Sequence, residues 1–274
     1  MSATEKPHLS PTQLDMYCRC PEQYRRRYMD GEILPPGVAL LKGKSFHHGA
    51  RINMRQKIDS HRDLPSNDII EAAVESFETA CRGEIALSQE EECRGVGVVL
   101  SEATDDLGVL MDVHAELQAP DYQPVMVEQK IRIELPDAPR DLLGIIDLAD
   151  DRDRIVDFKT GARKKSQSDA DASVQLTVYA ASFQAVTGQK PSEVRLDTAI
   201  KNKRTADRQV LSSDRSAADF QALANRLNVV ERGIAAGHFP PAVPGAWWCS
   251  SKWCGYWNSC PYVNSERKAK QNGD

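Results

Sequence analysis

The stretch Leu142–Thr160, LLGIIDLADDRDRIVDFKT, decides how this chain is read. Two apolar runs, 142–149 and 154–160, flank a charged turn at Asp150 to Asp153, which is the pattern of a hairpin. With the turn at Arg152, Asp147 stands directly opposite Asp157. Residues paired across an antiparallel ladder hold their Cβ atoms about 4.5–5.5 Å apart. Two carboxylates that close repel each other unless a proton or a cation lies between them. Lys159 is two positions beyond Asp157 and shares its face, while Phe158 points the other way. Asp147 also interrupts an apolar run, where a buried carboxylate is costly without a partner. A carboxylate pair beside an ammonium suits Mg²⁺ or Mn²⁺, which can activate water and offset charge at a phosphate. Glu128, in the preceding strand, offers a third acid. A lone D-x-K is weak, since scattered charge on a solvated hairpin is its usual explanation; the apolar setting of Asp147 moves the balance.

Outward from the hairpin, the pattern is that of an α/β or α+β core. Residues 125–134 alternate as a strand, 193–200 form another, and helices are expected at about 170–186 and 214–236. Toward the N-terminus, Ser10 precedes Pro11 as a helix cap, and Pro21 should break or restart that helix. Further helices are expected at about 43–58, 68–82 and 97–118. The expected layout is one domain over 1–264. It comprises a mostly helical region to about 120, a core at about 121–238, a cysteine-bearing segment at 245–262, and then a polar tail at 265–274.

The 274 residues are 41% apolar and 27% charged, so the chain can bury a substantial core and is not disordered, collagen-like or a coiled coil as a whole. No run approaches the roughly 18 apolar residues of a membrane span. The opening MSATEKPHLS lacks the apolar core of a signal peptide, so a cytoplasmic location is expected. A net charge of −5 argues against a general polyanion binder, but local basic patches can still hold nucleic acid. The seven cysteines, an odd number in an apparently cytosolic chain, do not suggest a disulfide framework. Cys81 and Cys93 read as bystanders. Cys18 and Cys20 lie near one end and Cys249, Cys254 and Cys260 near the other, so the fold is expected to bring the ends together.

Several motifs together resemble the RecB-family branch of the PD-(D/E)xK nucleases. They are GIIDL with Asp147, VDFKT with Asp157 and Lys159, and QLTVY with Gln175 and Tyr179. Upstream, Gly43 and His47 match a G-x-x-x-H motif, and Leu9, Ser10, Leu14, Cys20 and Pro21 match the opening segment. The matches follow family order from residue 9 to 260; Ile146 stands where the first proline of the name would be. The resemblance implies a restriction-endonuclease-like α/β fold. His47, Asp147, Asp157 and the Phe158 carbonyl would be metal ligands, with Glu128 less secure because that role varies in the family. Lys159 would be the catalytic lysine, and Gln175 and Tyr179, four apart on one helix face, would position the DNA backbone or the lysine.

Three thiolates in WWCSSKWCGYWNSCPY need a fourth ligand for either a tetrahedral zinc site or an iron–sulfur cubane. Zinc knuckles usually pair cysteines as C-x₂-C, and neither gap here is two. One N-terminal and three C-terminal cysteines resemble the 4Fe–4S staple of AddB-type nucleases and CRISPR-associated adaptation nucleases. On that resemblance Cys20, within its C-P pair, is the fourth ligand and Cys18 the alternative. The cluster would be structural, with Trp247, Trp248, Trp253 and Trp257 shielding it. Basic residues gather at Arg25 to Arg27, Lys42 with Lys44, Arg163 to Lys165, and Lys201 to Arg204, of which Lys164 and Lys165, just after the hairpin, are the best phosphate contacts. No base-reading element is evident, so cleavage should be mainly sequence-independent. The expected partner is DNA, single-stranded or with free ends, and no membrane. No G-x-x-x-x-G-K-[ST] motif occurs, so any unwinding falls to a partner or to the cluster-stapled helical region, with a helicase, a recombinase or a CRISPR-adaptation protein as expected partners. The alternatives are a nuclease trimming protospacers in CRISPR adaptation and a DNA-binding module without catalysis; intact Asp147, Asp157 and Lys159 argue against the second.

Overall fold

The structure is a computed structural model that describes residues 6–135 and 138–263; the tail at 265–274 lies outside them. In chain order, β1 is His8–Leu9, α1 Pro11–Arg19, α2 Pro21–Tyr24, α3 Val38–Ser60, α4 Ser66–Ala80, α5 Gln89–Arg94 and α6 Val96–Val113. There follow β2 (Pro124–Ile133), β3 (Asp141–Asp150), β4 (Arg154–Gly161), α7 (Gln167–Asp171), α8 (Val174–Thr187), β5 (Glu193–Lys201), β6 (Ala206–Ser213) and α9 (Ala217–Ala235). Ser10 caps α1 in a capping box with Gln13, and Pro21 restarts the helix as α2.

One six-stranded mixed sheet organises the molecule, in the order β1-β3-β4-β5-β6 with β2 also on β3. A strand has two edges. β2 runs antiparallel along one edge of β3, so β1 and β4 share the other. The link from β4 through α8 to β5 is a crossover, because those two strands are parallel. Leu148, Val156 and Phe158 join a core with α3, α4 and α6. Ile146, Ala149 and Ile155 go to the opposite face, under α8. This is the α/β architecture expected of the restriction-endonuclease-like fold.

Two strands escape the sequence reading. β1 is only two residues long. β6, ADRQVLSS, is an edge strand with half of each turn of its pleat in water, so its polar composition conceals it. Its Arg208 reaches back to Asp197 on β5, a fully buried carboxylate that also accepts from Tyr122 (2.7 Å) and Gln118 (2.8 Å). The expected helix at 170–186 is broken into α7 and α8, because Ser173 caps a fresh start by accepting from the Leu176 amide.

Two close approaches seat helices around the site. Gly144 on β3 faces Ser182 of α8, and an added Cβ would collide with that side chain. Gly49 on α3 lies so near α4 that a Cβ would meet Ala73 and the Ile69 carbonyl at 3.0 Å. At the start of β3, Asp141 is buried and accepts from Lys6 (2.7 Å), Arg132 (3.1 Å) and the Leu135 amide (3.2 Å). The hydrogen bond from Lys6 leads the forces that hold its carboxyl down at about 2. A depressed carboxyl stabilises the fold at pH values above its unfolded pKa, and that stability fades as pH falls toward the folded value. Denaturation midpoints should therefore show Asp141→Asn less stable than the parent at neutral pH, the gap narrowing from about pH 4 down to about pH 2.

Candidate active site

The β3–β4 ladder has two pairs, Leu148↔Val156 and Ala149↔Ile155. One step further, that register sets Asp147 opposite Asp157, as expected for a turn centred on Arg152. There the strands part, and the Phe158 amide donates to Asp147 Oδ2 at 3.1 Å instead of to a strand carbonyl. Asp157 is completely buried. Its Oδ1 accepts from Lys159 Nζ at 2.8 Å, while its Oδ2 is buried with no hydrogen-bond partner. Burial first, and the neighbouring Asp157 second, raise the Asp147 carboxyl well above the carboxylate range. Burial works against the Lys159 ammonium, but Asp157 and Asp147 outweigh it and hold the lysine charged.

α8 supplies the opposite wall. Gln175 Oε1 accepts from Lys159 Nζ at 3.1 Å, and Gln175 Nε2 donates to the Tyr179 hydroxyl at 2.6 Å. That hydroxyl lies 3.5 Å from Asp147 Oδ1, so the chain of contacts closes on the carboxylate pair. Burial, then Asp147, raises the Tyr179 phenol above its ordinary range, so it stays a neutral donor. The four-residue spacing thus brings both side chains to Lys159 and Asp147, as expected from sequence.

α3 supplies the third wall. His47 Nδ1 lies 3.4 Å from Asp147 Oδ2. Burial, with help from Lys159, lowers the imidazole to about 4, which keeps it neutral and able to ligate at physiological pH. Glu128 sits on β2 in register with Asp147, between the pairs Val127↔Leu148 and Gln129↔Ile146. Its φ of +49° is left-handed, a strained state for a residue with a side chain. Ligand atoms of His47, Glu128 and Asp147 all fall within 4.8 Å of one another. Two carboxylates and an imidazole, with the orphan oxygen of Asp157 beside them, can hold a divalent metal ion. The walls border a cleft of about 420 Å³, lined by His47, Glu128, Asp147, Lys159, Gln175 and Tyr179 together with Lys44, His48, Arg51 and the apolar Ile145, whereas Asp157 is fully buried and not part of the lining. Lys44 and Arg51 were not singled out from sequence as cleft residues.

Other expected residues lie elsewhere. Lys164 pairs with Asp207 at 3.2 Å and the Lys165 amide donates to Gln209; neither lines the cleft. The cysteine segment folds as successive turns, and the Cys254 thiol is raised by burial and by neighbouring Cys20, Cys249 and Cys260. Cys18 is exposed and faces Arg226 and Asp15 instead. The four tryptophans of this segment are placed unequally, with Trp248 Nε1 donating to the Arg19 carbonyl. Trp257 is buried, whereas Trp247 and Trp253, on the turns of this segment, are 65% and 58% exposed and pack edge-to-face on each other.

A crystal structure of a protein from Eubacterium rectale, named "Putative exonuclease", superposes with a TM-score of 0.51 at 14% identity, covering 96% of this chain and 95% of the other. That likeness supports the fold. The crystal structure of SSO0001 gives a TM-score of 0.41 at 12% identity over 94% of this chain and 88% of the other. No curated protein matches. The family model of the PD-(D/E)XK nuclease superfamily matches residues 8–261, which takes in β1, the whole sheet and the last cysteine. This chain belongs to the PD-(D/E)XK nuclease superfamily.

Proposed function

We propose that the protein is a Mg²⁺- or Mn²⁺-dependent deoxyribonuclease, a sequence-independent exonuclease acting on single-stranded DNA in recombination, repair or phage DNA processing. The observation that carries this reading is the closed set Asp147, Asp157, Lys159, Gln175 and Tyr179 around a buried oxygen that lacks a donor. His47, Glu128, Asp147 and Asp157 would hold the metal ion, with the Phe158 carbonyl as a further ligand. When bound, the ion supplies a Lewis acid for the phosphate and lowers the pKa of water. Asp157 holds Lys159 charged beside it, and Gln175 fixes the ammonium from the other side. So placed, the ammonium can orient the attacking water and stabilise charge that develops on a phosphate oxygen. Tyr179 and Gln175 set the position of that lysine, and Lys164 and Lys165 are proposed as further phosphate contacts.

We also propose a structural 4Fe–4S cluster on Cys20, Cys249, Cys254 and Cys260. Four thiolates on zinc, at a Zn–S distance of about 2.3 Å, lie about 3.8 Å apart. Among the described residues these cysteines form no group with sulfurs all within 4.8 Å, although three of them act on the Cys254 thiol. The common influence of Cys20, Cys249 and Cys260 on the Cys254 thiol supports one shared site for the four. The test of the nuclease reading is digestion of end-labelled single- and double-stranded DNA. Loss of label from single strands with Mn²⁺, and none with chelator, is expected. Intact DNA under every metal condition would refute it.

A further inference from the structure

Four residues on α3 recur at Lys44, His48, Arg51 and Arg55, steps of four, three and four that place them on one face of the helix. The same helix carries His47 at the metal-binding corner. Lys44, His48 and Arg51 line the cleft, on the side opposite Gln175 and Tyr179. Neither Lys44 nor Arg51 has a carboxylate within salt-bridge distance among the described residues. The nearby Lys42, by contrast, is taken up by Asp106 at 3.0 Å. The contact recorded for Arg51 is Nη2 to His48 Nδ1, at 2.8 Å. A neutral imidazole accepting that bond aims the guanidinium without cancelling its charge.

Unpaired cations along a cleft are an arrangement that calls for an anionic ligand. Lys44 and Arg51 are seven residues apart, a rise of about 10.5 Å that spans roughly two phosphate steps of an extended strand, and Arg55 lies about 6 Å further along. The exposed Ile145 on the cleft floor offers an apolar surface for a sugar or base. We propose that this face of α3 is the track for the substrate strand: Lys44 and Arg51 bind phosphates flanking the scissile one, Arg55 binds the next along, and His48 braces Arg51. The proposal rests on the nuclease reading and gives its DNA a path. The competing role for Arg51 and Arg55 is local, since both lie near Glu128 and favour its ionised form.

Salt dependence separates the two. Binding of a fluorescein-labelled oligothymidylate is followed by anisotropy in an Asp157→Ala background with chelator present, across a salt series. Each phosphate contact on a single strand contributes about 0.7 to the slope of log affinity against log salt. Lys44→Gln with Arg51→Gln should lower that slope by about 1.4 and weaken binding roughly ten-fold near 0.1 M salt. Lys44→Arg with Arg51→Lys should restore most of it. Lys203→Gln with Arg204→Gln, an equal charge change on the exposed turn between β5 and β6, should leave the slope unchanged. An unchanged slope in the α3 variant, or an equal fall in the turn variant, would overturn the track alone. So would a loss of Mn²⁺ affinity with the slope intact, which would assign Arg51 to Glu128. A parent protein that binds no DNA would overturn both the track and the nuclease reading.

Discussion

Asp157→Ala should digest DNA about 10³-fold more slowly than the parent, a loss of the size seen when one preorganised electrostatic partner is removed. The fold should not suffer. Asp157 Oδ2 has no donor to lose, and its removal relieves the repulsion that raises Asp147. Lys159 keeps Gln175 as a partner and Asp147 as a countercharge. In the absence of metal, the melting temperature of Asp157→Ala should equal or exceed that of the parent, the usual exchange of stability for activity at such a site. Lys159→Ala should show the same loss of rate with metal binding retained, whereas Asp147→Ala should lose both. Wild-type digestion by purified Asp157→Ala would show that the assigned centre is wrong.

Cys254→Ala should act in the opposite order, on stability first and on rate only as a consequence. Its thiol faces Cys20, more than two hundred residues earlier in the chain. A cross-link closing a loop of a hundred residues or more removes enough freedom from the unfolded chain to stabilise the fold by about 5 kcal/mol. For a chain of this size that corresponds to roughly 10–20 °C in melting temperature. Cluster binding adds to this, since the unfolded chain has no formed site. The parent, purified without oxygen, should be brown and contain iron, and Cys254→Ala should be colourless, less soluble and earlier to melt. A colourless, zinc-loaded and fully active parent would remove the cluster and leave the nuclease reading intact, because the two sites share no residue.

Much of this was legible before the structure. The hairpin register follows from strict alternation around a polar turn, so Asp147, Asp157 and Lys159 could be set side by side by counting. Gln175 and Tyr179 come from the family resemblance, and helix periodicity adds only that they share one face. Glu128 was harder, because its place depends on β2 lying in register with Asp147 and on a left-handed backbone, neither of which leaves a local signal. The cations of α3 were hidden for a related reason. Lys42 and Lys44 look alike in sequence, and only the packing against α6 shows that Lys42 is neutralised by Asp106. β6 escaped because an edge strand needs little apolar character.

The meeting of Cys20 with Cys254 also sets an order of events during synthesis. Ribosomes extend a chain by about 5–20 residues each second, so Cys20 would emerge tens of seconds before its partners. Through that interval α1 can form, as it rests on its own capping box, but the proposed ring of thiols cannot. A ribosome that stalls between residues 179 and 249 leaves Asp147, Asp157, Lys159, Gln175 and Tyr179 made and the proposed cysteine site incomplete. Closure by the proposed cluster is thereby tied to translation of residues 249–260.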